Sequence, residues 1–298
     1  MADEIFLMVK GGCTGAEMDE YMGQLPIPPE NYGMILNRRD HDKYTALHCA
    51  IFARNFQAAQ ALLKHGADPN LKCHGTPSLH LALASAILPE NKEMGLAFFK
   101  LFLDNDADTL AKDDQLAGIL HLAAEYSMDD ILEMLLAPAS EEDKTAENFD
   151  REFAYDVEIN AKDRAGLRPL HRAAMRDNAS SAKILISKGS FVNAQTSYGS
   201  TALHLCAAAG SSGAWAAIQT SQGIKTENAA SGSCNPSIRD KWGRTASDQA
   251  AVGGWDGTGK LRGGSYRAKG YVLYTIGVLC IRHLWCSSII TCNTTSYN

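Results

Sequence analysis

Residues 44–70 read YTALHCAIFARNFQAAQALLKHGADPN. Thr45 has a hydroxyl that can cap a helix start. From Ala46 to about Ala53 the side chains are small or apolar. A tight turn and a second amphipathic run, Phe56 to Lys64, follow, and the paired Leu62-Leu63 marks its buried face. Gly66 falls where a helix end wants a residue at positive φ. Asp68-Pro69-Asn70 is turn chemistry. The stretch predicts an opener from Asp40 to Thr45, two short helices joined by a tight turn, and a glycine-ended close.

The same pattern recurs along the chain. Leu-His followed two residues later by Ala appears at Leu47-His48-Ala50, Leu79-His80-Ala82, Leu120-His121-Ala123 and Leu170-His171-Ala173. At Leu203-His204 the slot holds Cys206, and Ala207 comes next. The histidines step by 32, 41, 50 and 33 residues. Two steps lie at a repeat period of about 33 and two are lengthened by insertions. The small Ala column lets helices of adjacent units approach closely. Leu62-Leu63, Leu135-Leu136 and Leu185-Ile186 face a shared core that no single unit could bury alone. Pro169 sits at a first helical position, where its missing N–H costs nothing.

Residues 44–70, together with GSTALHLCAAAG at 199–210, closely resemble the ankyrin-repeat family over roughly Leu36 to Val252. The resemblance implies an all-α ankyrin-repeat solenoid of about five full repeats plus N- and C-terminal caps, with short β-hairpin-like turns. Residues 1–37 are expected to form an N-terminal capping half-repeat. Residues 38–252 form the array, with insertions at 85–95, 138–156 and 220–233. The closing unit, Asp240 to Ala246, puts Ser247 and Asp248 where Leu-His is usual, as suits an outer cap. The third unit departs most: Leu116 stands where Gly is usual and Gly118-Ile119 where Thr-Pro is usual, so its turn geometry is open.

Composition fits a folded chain, with 45% hydrophobic and 21% charged residues. A net charge of −6 disfavours nucleic acid, which needs a dense basic face. Met1-Ala2-Asp3-Glu4 lacks the basic start of a secretory signal. Eight scattered cysteines without CxxC pairs predict reduced thiols rather than a disulfide framework.

Chemical sites are few. The family resemblance implies that each repeat histidine bonds backbone at a helix start and joins one turn to the next. No partnered nucleophile stands beside these imidazoles, and the expectation is no catalytic residue and no cofactor. His48-Cys49 and Cys73-His74 lack the convergent spacing of a metal site. Gly254 to Lys260 matches a P-loop for seven places, but Leu261 replaces the Ser or Thr that holds magnesium.

The expected function is a protein–protein interaction module, an adaptor or scaffold, binding a protein partner as a monomer in the cytoplasm or nucleus. The family's mode of binding implies a concave strip of hairpin tips and first-helix faces. Its expected members are Tyr44, Phe52, His74, Gln115, Glu125, Tyr126, Arg164, Leu167, Met175, Arg176 and Tyr198, flanked by His41, Asp42, Thr76, Asp114 and Ser197. Large amphipathic side chains of this kind are enriched at interfaces.

The tail, residues 253–298, reads differently. Lys260, Arg262, Arg267, Lys269 and Arg282 meet no acid after Gly257. Residues 271–292 are long enough to cross a bilayer, although Arg282 lies near their middle. Three readings stand: a tail anchor holding a cytosolic array on an intracellular membrane, an ordinary tail, and translated intron, since Gly259-Lys260-Leu261 can be encoded by GGTAAGTTA with its splice-donor sequence. A regulatory fragment of a longer enzyme, with its catalytic domain outside this chain, is a further alternative.

Overall fold

The computed structural model of the chain describes residues 2–87, 89–138, 157–220 and 233–252. The predicted membrane segment 271–292, the P-loop-like 254–260 and nearly all of the insertions at 138–156 and 220–233 lie outside them. The described residues fall into two compact units that divide after Ala67, at the predicted Asp68-Pro69-Asn70 turn. Among them no helix is long and apolar enough to cross a membrane.

The first unit holds α1 (Ala2–Lys10), α2 (Gly15–Gly23), α3 (Tyr32–Leu36), α4 (Ala46–Phe52) and α5 (Phe56–Lys64). α1 packs on α4 and α2 on α5, so the opening residues supply a whole helix pair. Ile5, Val9, Met18, Met22, Leu47, Ala50 and Leu62 are buried between them. The Tyr32 hydroxyl donates to the Met22 carbonyl at 2.6 Å, and its ring meets His65 edge-on. The sequence pattern of α4 and α5 needs no revision, and Gly66 takes φ +90° as its position demands.

The second unit opens with β1 (Lys72–Cys73) and β2 (Thr76–Pro77), a two-stranded antiparallel hairpin. Helix pairs follow: α6 (Ser78–Ser85) with α7 (Lys92–Leu103), α8 (Ile119–Glu125) with α9 (Asp129–Leu135), α10 (Pro169–Met175) with α11 (Ala179–Ser187), and α12 (Ala202–Ala209) with α13 (Ser212–Thr220). α14 (Ala246–Val252) closes the series. The first helices stack in the order α6, α8, α10, α12, α14, and α11 lies between α9 and α13. The alanine column Ala82, Ala123, Ala173 and Ala207 is buried where these helices meet, as are Leu135, Leu136, Leu185 and Ile186.

The insertion at 85–95 is partly helical. A 3₁₀ turn covers Pro89–Asn91, and Lys92 to Gly95 already belong to α7. A Cβ at Gly95 would lie 2.4 Å from the backbone N and Cα of Ala86, so glycine is what lets α7 press against the end of α6.

Candidate partner-binding surface

Helices α4, α8, α10, α12 and α14 are each preceded by a turn whose geometry one side chain fixes. Asp113 Oδ1 accepts from the N–H groups of Gln115 and Ala117, both at 2.8 Å. Asp163 does the same for Ala165 and Leu167, and Asp240 for Trp242 and Arg244. In the fifth unit the Thr196 hydroxyl takes the carboxylate's place, accepting from Tyr198 and Ser200. Asp40 plays this part in the first unit, toward Asp42 and Tyr44. The third residue after each of these acceptors is left-handed: Lys43, Leu116, Gly166, Gly199 and Gly243 have φ between +60° and +76°. Leu116 therefore keeps the turn that its lack of glycine put in question. Lys72 occupies the carboxylate's slot in the second unit. There a regular hairpin forms instead, with His74 at φ +46° and Gly75 at φ +79°, the signs of a type I′ turn.

The repeat histidines behave as the family resemblance implies. His121 Nδ1 accepts from Gly118 N–H at 3.2 Å, and its Nε2 bonds the Leu167 carbonyl of the next turn at 3.1 Å. His171 links Arg168 N–H to the Ala194 carbonyl, and His204 links Thr201 N–H to the Arg244 carbonyl. An accepting Nδ1 fixes the neutral Nε2–H tautomer. His80 donates to the Ala117 carbonyl, but the residue at its cap is Pro77, which has no N–H. Its buried Nδ1 has no hydrogen-bond partner among the described residues. Burial pushes His80, His121 and His171 down to about 4. Asp248, in the same slot of the closing unit, accepts from Thr245 N–H at 2.8 Å, so its carboxylate serves the cap that histidine serves elsewhere.

Several expected surface residues are not on the surface. Tyr44 is buried, its ring edge-on to the half-buried Phe52 at 5.2 Å. Leu167 is buried too, its N–H donating to Asp163 and its carbonyl accepting from His121. Glu125 is 9% exposed and faces two guanidiniums: Arg172 at 2.5 Å and Arg176 at 2.6 Å. Arg172 also holds the buried Asp163 at 2.7 Å, so Asp163, Arg172, Glu125 and Arg176 form one chain of charges tying α8 to α10. Tyr126 is half-buried, and its hydroxyl has no hydrogen-bond partner among the described residues. Burial, with Glu125 adjacent, pushes that phenol up to about 12.

His74, Gln115, Arg164, Arg176 and Tyr198 are exposed as expected, and Met175 is half-buried. The Gln115 carbonyl accepts from Arg164 N–H at 2.7 Å, joining neighbouring turns. The sequence pattern missed Trp242. It is 61% exposed and stacks on Tyr198 with centroids 6.2 Å apart, while the Arg244 guanidinium lies 4.9 Å over its ring. The clue was positional: Trp242 follows Asp240 by two places, as Tyr198 follows Thr196.

The Asp40-His41-Asp42 group brings ligand atoms within 4.8 Å of one another, but Asp40 already holds its own turn and Lys10. A groove of about 360 Å³ between α11 and α13 is lined by Lys183, Ile184, Ile186, Ser187, Ala217 and Thr220, with no carboxylate or imidazole among these residues. The five described cysteines are thiols, not disulfides.

Stacked helix pairs with capped turns, offering faces and tips rather than a cleft, define a repeat protein. The repeats are ankyrin repeats, and the chain is an ankyrin-repeat protein: the family described as ankyrin repeats in three copies matches residues 145–218, and the single ankyrin repeat matches 42–74. Over 187 residues the chain is 28% identical to the nuclear factor NF-kappa-B p105 subunit of Gallus gallus. That alignment takes in 62% of this chain and 17% of that protein, so the chain spans a small part of this relative. The crystal structure of the ankyrin repeat domain of Bcl-3, described as a unique member of the IkappaB protein family, is similar with a TM-score of 0.58 and 21% identity. It covers 81% of this chain and 91% of that one. Ankyrin repeats are generally protein-binding modules and typically non-catalytic.

Proposed function

We propose that this chain is an adaptor or scaffold that holds a protein partner against the tips and first-helix faces of its repeats. The observation that carries the proposal is the pinned surface on α8 and α10. Arg176 is exposed yet fixed by Glu125, with Met175 and Tyr126 half-buried beside it. A cation and apolar groups held in place before binding lose little freedom on contact, which favours a recognition surface. The similar proteins are named as a subunit of nuclear factor NF-kappa-B and as a member of the IkappaB protein family. That supports a protein partner for this chain, in the cytoplasm or nucleus.

The test is the triple variant Tyr126→Ala, Met175→Ala, Arg176→Ser in the full chain. Affinity for a partner recovered by pull-down should fall at least about tenfold, or 1.4 kcal/mol. Undiminished affinity, with the melting temperature held, would set this surface aside.

A further inference from the structure

The charges on the turns of the second unit are not evenly placed. Asp163 and Asp240 are buried and paired with Arg172 and Arg244. Glu158 pairs with Lys112, and Asp248 holds the Thr245 cap. Lys162, Arg164 and Lys241 are exposed and make no ion pair among the described residues. Arg239 is exposed and donates to the Gly243 carbonyl at 2.5 Å. The turns around Asp163 and Asp240 thus present cations to water while those two acids face inward, and the turn between them, which holds Tyr198, carries no charged side chain.

Those turns are in contact. A Cβ on Gly166 would strike Ser197, and one on Gly199 would come within 2.9 Å of the Lys241 backbone N. Lys241 N–H donates to the Tyr198 carbonyl at 3.1 Å. Arg164, Tyr198, Lys241 and Trp242 therefore stand on three consecutive turns. Two aromatic side chains, 52% and 61% exposed, sit stacked among the cations. Exposed Tyr and Trp with clustered Arg form the composition of an interface centre. Asp240 pins Arg244 over the Trp242 ring through Nε and a terminal nitrogen, so the stack is ordered without a partner.

We propose that the Tyr198–Trp242 stack and its flanking cations are a docking site for an acidic protein segment with interspersed apolar side chains. Carboxylates meet Arg164, Lys241 and Arg239, and an apolar side chain lies against the rings. Charge complementarity selects the sign, since the chain as a whole is acidic and this patch is not. The site extends the protein-binding reading above to separate residues, so either can fail alone.

The experiment measures fluorescence anisotropy of a labelled peptide of alternating Glu and Leu with the full chain, beside an alternating Lys and Leu peptide. The acidic peptide should bind, and weaken as salt is added. The variants Lys241→Glu with Arg164→Glu, and separately Trp242→Ala, should each lower its affinity at least about tenfold. Tyr198→Ala is the substitute should Trp242→Ala melt early. The triple change at Tyr126, Met175 and Arg176 should leave peptide binding intact. Equal binding of the Lys peptide overturns the proposal. So does no binding up to ~1 mM, or an acidic-peptide signal unchanged in the tip variants, which would assign it to other basic residues such as those at 260–282.

Discussion

Leu116 is the residue at which local cost is plainest. It holds φ +60° at an exposed turn where equivalent positions in later units are glycine. A non-glycine residue there is strained by about 1–2 kcal/mol, and glycine's greater unfolded freedom returns part of that. Leu116→Gly should therefore raise stability by about 0.5–1 kcal/mol, visible as a higher urea midpoint with unchanged slope. A fall in midpoint would mean that the leucine side chain packs more than its exposure indicates. The histidine slot shows a complementary economy. Glu17 in α2, His48, His121, His171 and His204 in the repeats and Asp248 in α14 all accept the cap N–H three residues back. Only the imidazole has a second nitrogen to reach the next turn.

At the scale of elements, two junctions should be costly to change. Gly95→Ala drives a methyl into the Ala86 backbone and should cost about 1–3 kcal/mol through displaced α7 packing. A melting temperature unchanged by that substitution would show that the two helices separate freely. Glu125→Ala leaves Arg172 short of a partner between α8 and α10 and should cost about 3–5 kcal/mol. A double change with Arg176→Ala separates the roles, because Arg176 is partly solvated and its own loss should matter much less. The helices themselves were legible in the sequence, since Leu-His-x-Ala and the paired leucines report burial directly. The surface was not. Tyr44, Glu125 and Leu167 occupy slots that point outward by register, but an edge-on ring meets Tyr44, two guanidiniums meet Glu125, and Leu167 is buried as well. For Glu125 and Leu167 the partners include residues 47 and 46 positions away, Arg172 and His121, and periodicity carries no record of them. Trp242 was missed because the closing unit was read through its missing histidine rather than through its turn.

For the whole molecule, the buried imidazoles set the response to pH. His80, His121 and His171 are pushed down to about 4 by burial, whereas in the unfolded chain each titrates near about 6.5. Below that pH the unfolded chain takes up protons that the folded one refuses. The stability is thus fully present above about pH 6.5 and drains away toward about pH 4, where the folded imidazoles also protonate. Urea midpoints should be level from neutral pH upward and decline steadily over that window. A flat profile down to pH 4.5 would contradict the neutral, hydrogen-bonded state of these rings.

The carboxylate of Asp248 also bears on where an array of this kind can be cut. An imidazole stays neutral only while the following turn covers it. At a freshly cut edge it would meet water, titrate near its ordinary range, and lose its hold on the cap N–H whenever it took a proton. Hydrogen bonds from Thr245 keep the Asp248 carboxyl below its usual range, so the final helix start remains fastened where a histidine would let go. A shortened array should accordingly carry Asp at the histidine slot of its new last helix. Thr201, already in place ahead of His204, supplies the matching half of that fastening for any chain ended after the fifth repeat.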